Sequence, residues 1–324
     1  MDVLHLTPME DSLEEACLFD GALEVEKTAF VTFQGCHNTS VDAQWNIMLV
    51  SAHLPPMQNT FIWWSNGTVS EPVRMPSNCD SPDNCVEDVF TPTEERQSGP
   101  RLASDAPIPT YIELDFELMY DNSMVRRHGS FYAAYYTYII AHYGCALLKS
   151  RSITPKVICK FVWPTHYTRE GDGTNLVLDT NHHTVGSKPR HIITDNNYDA
   201  RGVDGRVGNI GLSCPPAKDD IAVTEFWVPI GQPALYYYME TSKTFAHEMG
   251  HWLGMWHDFS SAHGGDSSPC NGQGLMSYGN IAPSDWSTCS NRNWQADYRR
   301  TQHRCRADVS SRYSDGGCCI TDRL

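Results

Sequence analysis

With 324 residues, 40% of them apolar, the chain is long enough for two unequal domains and has the material for a real core. Its formal charge of −15 is unevenly spread: residues 1–107 hold 17 acids against 4 bases, and residues 108–324 hold 22 against 20. No basic face is visible, so nucleic acid is excluded as the expected partner, and the asymmetry points to two units with different jobs. In chain order, "TAFVTFQGC", "WNIMLVSAHL" and "NTFIWWS" read as short strands of a small β-rich unit. The stretch from Thr91 to Thr110 is rich in Pro, Ser and charge and has no apolar period, which marks an exposed linker. Beyond it "YIELDFELMY" has strand character, Arg126 to Lys149 reads as helix, and "KVICKFVW" reads as strand. This is the βαβ order of an α/β sheet. We divide the chain into an acidic segment over 1–90, a linker over 91–108 and a larger unit over 109–324.

Twelve cysteines fall as four in the front third (Cys17, Cys36, Cys79, Cys85) and eight after it, and none forms a Cys-x-x-Cys pair. Disulfides in an oxidising compartment are therefore expected, and the glycosylation sequons at Asn38 and Asn66 agree with a secreted, extracellular protein. The opening "MDVLHLTPMEDSLEEACLFD" lacks the apolar core of a signal peptide, so we read the chain as an N-terminally incomplete or processed form. The charge-free run from Gly129 to Leu148 holds five tyrosines, which suits a core helix better than a membrane span. We expect a monomer with no transmembrane segment.

The chemistry concentrates in "AHEMGHWLGMWHD", Ala246 to Asp258. His247 and His251 lie four apart and share one face of a helix, where they can grip one ion, with Glu248 on the same rim. His257 cannot join them on a continuous helix, because six more residues carry it about 9 Å onward and roughly 240° around. The helix must stop first, and Gly254 sits where a residue of positive φ lets the chain swing back. Three neutral imidazoles so arranged suit Zn²⁺, with a fourth position left for water.

His247-Glu248-x-x-His251-x-x-Gly254-x-x-His257-Asp258 resembles the zinc motif of the metzincin clan, and the aspartate after the third histidine resembles the adamalysin (reprolysin, ADAM) family. In "GQGLMSYGN", Met276 resembles the clan's Met-turn. The resemblance implies a twisted, mostly parallel sheet with an antiparallel edge strand, a zinc helix and a smaller C-terminal subdomain, preceded by a prodomain-like segment. It further implies a zinc-dependent endopeptidase acting on protein or peptide substrates with Glu248 as general base. Disulfides Cys214–Cys305 and Cys270–Cys289 follow from the same likeness, as does a structural calcium at Glu113, Asp308 and the carbonyl of Cys305. So does a substrate-binding edge strand at Gly208, Asn209, Ile210, Gly211 and Leu212. Tyr278 resembles the Met-x-Tyr tyrosine of astacins and serralysins, a metal-proximal hydroxyl, or else lines the pocket wall. Residues 1–107 have the placement of a zymogen prodomain. Cys79 is there either a switch cysteine or the partner of Cys85. No cysteine-dense module follows Cys319, so the form is expected to end with the catalytic domain. The alternative is a non-catalytic zinc-binding module of the same fold; Glu248, which metal binding does not require, favours the enzyme.

Overall fold

The computed structural model describes residues 107–150, 152–169, 188–196, 205–212, 220–226, 238–258, 270, 274–277, 285–300 and 310, together with the backbone of seven strands before residue 92. Six of these strands, β1 (Leu4–Pro8), β2 (Ala16–Leu23), β3 (Lys27–Gln34), β4 (Gln44–Val50), β5 (Thr60–Trp64) and β6 (Val69–Ser70), form one sheet. Each pairs antiparallel with the next, a meander in chain order that closely spaced consecutive strands can form without crossovers. The seventh, β7 (Val89–Thr91), pairs elsewhere. Residues 92–106, most of the expected linker, lie outside the described residues.

"YIELDFELMY" is strand, but it serves two sheets. β8 (Tyr111–Asp115) pairs parallel with β10 (Lys156–Lys160), while β9 (Glu117–Tyr120) pairs parallel with β11 (Thr165–His166) and with β12 (Arg190–Thr194). The switch falls at Phe116, whose N–H still donates to Lys160 O at 3.1 Å while Glu117 N–H donates to Pro189 O at 2.9 Å. β12 also pairs parallel with β14 (Ile221–Glu225), and β13 (Gly205–Asn209) runs antiparallel against β14. The larger sheet thus has the order β11-β9-β12-β14-β13-β7, mixed with parallel strands at its centre. Every residue of β12 and β14 is buried, as expected of parallel strands covered on both faces.

The helix read over Arg126 to Lys149 is two. α1 (Asn122–His128) starts at Asp121, whose carboxylate accepts Met124 N–H at 3.1 Å, and ends at Gly129 with φ 78°. α2 (Ser130–Leu147) then runs through the core with thirteen buried residues. Among the described residues no helix is long and apolar enough to cross a membrane. A disulfide between Cys145 and Cys159 ties the last turn of α2 to β10. Helix α3 (Tyr238–Trp252) packs against α2 and against β13 and β14, and α4 (Thr288–Arg300) follows it. Phe116, Phe245 and Trp252 are among the largest fully buried side chains, each worth about 1.5–3 kcal/mol of apolar burial. They fix α3 on the sheet, and α3 carries the site.

Candidate metal centre

Helix α3 ends in a paired hydrogen-bond motif: Met255 N–H donates to Gly250 O at 3.0 Å and Gly254 N–H to His251 O at 2.9 Å. This Schellman geometry needs a left-handed residue between them, and Gly254 supplies it with φ 80°. The chain turns back and brings His257 to the ring face of His247 and His251. All three imidazoles are buried. His247 Nδ1 lies 2.6 Å from Leu275 O and His251 Nδ1 2.9 Å from Met255 O, so each Nδ1–H donates to a carbonyl and each Nε2 keeps its lone pair.

Those lone pairs converge. His257 Nε2 is 3.3 Å from His247 Nε2 and 3.1 Å from His251 Nε2. A tetrahedral zinc with Zn–N bonds of about 2.0–2.1 Å separates its nitrogen ligands by roughly 3.3–3.4 Å, so the spacing fits that ion closely. A proton can bridge only one pair of these nitrogens at a time, whereas a cation among them satisfies all three. The donor set and its orientation therefore fit zinc, and this triad is the one group of potential metal ligands among the described residues.

Glu248 is 1% exposed and lies against Gly205 of β13, where an added Cβ would stand 2.8 Å from its carboxyl carbon. Met276 is fully buried, with its Sδ against Gly250 of α3. A Cβ on Gly250 would come within 2.6 Å of Met276 Sδ and 2.8 Å of Trp286, so only glycine lets the helix settle on that turn. Asp258 N–H donates to Met276 O at 2.9 Å, and the Asp258 carboxylate accepts Ser287 Oγ at 2.5 Å, Ser290 Oγ at 3.1 Å and Ser277 Oγ at 3.3 Å. Burial pushes the Asp258 carboxyl up from its ordinary value, while the three hydroxyls and the nearby His247 hold it down.

The expected edge strand is shifted. β13 ends at Asn209, so Gly208 and Asn209 lie in it, whereas Ile210, Gly211 and Leu212 cross the end of α3. Gly211, with φ 79°, turns the chain, and the Gly211 and Leu212 N–H groups donate to His251 O at 2.8 Å and Trp252 O at 2.9 Å. The orphan carbonyls of a helix end account for the difference: they recruit the N–H groups that a longer strand would have used. The outer side of β13 carries β7 in parallel register, Val207 opposite Val89 and Asn209 opposite Thr91.

Cys270 and Cys289 are disulfide-bonded. Glu113 faces Lys160 Nζ at 3.3 Å, an ammonium that competes with a cation for that carboxylate. Asp308, Cys305, Cys214, Tyr278, Asn38, Asn66, Cys79 and Cys85 lie outside the described residues. Reasoning from sequence missed Gly205, Trp286, Ser287 and Ser290. Gly250 at mid-helix was a usable signal, since such a glycine costs about 1 kcal/mol and asks for a packing reason. The serines carried none.

Residues 169–297, the span that holds the three imidazoles, Glu248 and Met276, match the family model described as Metallo-peptidase family M12B Reprolysin-like. No curated protein matches the chain. Among solved structures, metalloproteinase-II from Bacteroides fragilis is similar at 13% identity and a TM-score of 0.46, covering 91% of this chain and 86% of that one. Archaemetzincin from Methanopyrus kandleri is similar at 14% identity and a TM-score of 0.36, covering 60% of this chain and 99% of that one.

Proposed function

We propose, from the match of residues 169–297 to the reprolysin-like M12B metallopeptidase model, that the chain is a secreted zinc endopeptidase held inactive by its own front segment. The observation that carries the reading is the convergence of three Nε2 atoms beside a buried glutamate. His247, His251 and His257 would hold the ion, and the two Nδ1 bonds to Leu275 O and Met255 O keep the first two rings aimed at it. Zinc, when bound there, supplies Lewis acidity, bringing the pKa of a coordinated water toward ~7 and polarising the scissile carbonyl.

Glu248 takes the proton from the attacking water and returns it to the departing amine, the two halves of general acid–base catalysis by one carboxylate. Its burial against Gly205 limits competing bulk water. An extended peptide would add to the outer edge of β13 through backbone hydrogen bonds, with little dependence on its sequence. That edge carries Val89–Thr91 in this structure, which supports a zymogen: the chain's own strand stands where a substrate strand would add. The disulfides Cys145–Cys159 and Cys270–Cys289 support an oxidising compartment and hence secretion.

The test is hydrolysis of a quenched peptide library before and after cleavage between Thr91 and Thr110, with and without a zinc chelator. Turnover should rise on cleavage, vanish on chelation and return with added zinc. Trimmed, zinc-loaded protein that cleaves nothing would overturn the enzyme reading, and equal turnover by intact and trimmed protein would overturn the zymogen reading.

A further inference from the structure

The first two metal-centre imidazoles are carried by helix α3, but His257 lies beyond its end, so its position depends on what anchors the chain on either side. On one side stands the Schellman turn at Gly254. On the other stands Asp258, 1% exposed, whose Oδ1 accepts Ser287 Oγ at 2.5 Å and Ser290 Oγ at 3.1 Å. We propose that Ser287 and Ser290, at the N-terminal end of α4, are positioning residues for the third metal ligand and act through the Asp258 carboxylate. The proposal rests on the metal reading of the three imidazoles and goes beyond it by assigning a role to α4, some thirty residues further along the chain.

The arrangement is specific. Ser287 is the N-cap of α4: its oxygen accepts Ser290 N–H at 3.0 Å, which leaves its own proton for Asp258. Both serines are buried, which limits competition from bulk water, and hydrogen bonds to a carboxylate are roughly twice as strong as neutral ones. The turn itself is anchored. Trp286 Nε1 donates to Leu147 O at 2.7 Å, Leu275 N–H to Asp285 O at 2.9 Å, Ser150 Oγ to Asp285 Oδ1 at 2.5 Å, and Cys289 is bonded to Cys270. The turn is thus fixed to α2, to the Met276 turn and to the loop before it. A ligand nitrogen must sit within about 0.2 Å of its ideal distance, and such a platform can impose that tolerance on a residue outside any helix.

The test uses the full chain and zinc or cobalt(II) alone as probe, with zinc affinity measured by chelator competition and the site geometry by the cobalt d–d absorption. Ser287→Gly removes the hydroxyl while keeping an acceptable N-cap, and Ser290→Ala puts the best helix former in the first turn. The double variant should bind zinc about 10–100-fold more weakly, as loss of outer-shell partners generally does, and its cobalt spectrum should shift. Ser290→Thr, which keeps a hydroxyl, should restore part of the affinity to the single variant. An unchanged zinc Kd and cobalt spectrum, even with a lowered Tm, would overturn the proposal, because a purely structural role weakens metal-free and metal-bound protein alike. Should the double variant fail to fold, Ser290→Ala alone decides: a severalfold weaker Kd supports the proposal and a wild-type Kd overturns it. Wild-type protein that binds no zinc would instead defeat the metal reading itself.

Discussion

Among the described residues four histidines are buried, and helix α3 separates them into two environments. Toward the sheet, His191 of β12 stacks on Phe245 with ring centroids 3.9 Å apart and meets Trp252 edge-on, its Nε2 lying 2.8 Å from Thr224 Oγ1. On the opposite face, His247 and His251 meet His257 with Nε2 atoms 3.1–3.3 Å apart. Burial alone does not distinguish the two. His191 is held neutral by desolvation, its pKa pushed well below the ordinary value, in apolar company that gives a cation no second ligand. The triad differs in bringing three Nε2 atoms to one point, with two of its rings locked through Nδ1. The contrast teaches that a metal site is made by the second nitrogen of each ring as much as by the first.

The largest effect on the cleft side should come from Glu248→Gln. Glutamine keeps the shape but cannot take the proton, so kcat on a quenched peptide should fall about 10²–10⁴-fold while zinc content stays at wild type. A loss of zinc with a normal kcat per bound ion would place Glu248 among the ligands instead. Next is Gly205→Ala. Its Cβ would overlap the Glu248 side chain, with Cγ at 2.9 Å and the carboxyl carbon at 2.8 Å, and so displace the base without touching an imidazole. We expect kcat to drop on the order of 10–100-fold with KM and zinc occupancy little changed, as a misplacement near 1 Å can do. A variant that loses zinc along with activity would show that the strand supports the metal rather than the base.

Much of this was legible in advance because it is local. The spacing of His247, His251, Gly254 and His257 encodes a helix, a left-handed stop and a return, and all of these depend on neighbours in sequence. The alternation in "RHIIT" and "IAVTE" was weak because both strands are buried on both faces, leaving no polar side to mark a period. The break at Phe116 and the break at Gly129 were hidden inside runs whose composition suits one continuous element. The serines on Asp258 were invisible for another reason: hydroxyls at Ser287 and Ser290 acquire meaning only when α4 is folded against a loop 29–32 residues earlier.

The smallest effect concerns pH and sharpens the contrast from the core side. Desolvation of its ring, then the charge of Lys149, pushes His142, a partly exposed residue, down to about 3, and burial lowers His191 too. Unfolded histidine titrates near 6.5, so between there and the folded value the unfolded chain binds the extra proton. For His142 the contribution to stability is full above about pH 6.5 and is lost as pH falls toward about 3, by at most about 1.4 kcal/mol per pH unit, and that of His191 declines in the same direction. Urea unfolding at pH 7 and pH 5 should show the decline, and His142→Gln should flatten it. Excess zinc should oppose acid loss of the triad's ion but leave this slope in place; a slope abolished by zinc would assign it to the metal centre.

The most direct measurement is zinc per chain in purified, folded wild-type protein, His251→Ala and His191→Leu, each after dialysis against a weak chelator. The account predicts about one ion for wild type, almost none for His251→Ala and about one for His191→Leu, because only the first substitution removes a convergent Nε2. Undiminished zinc in His251→Ala, or zinc lost from folded His191→Leu, would contradict it.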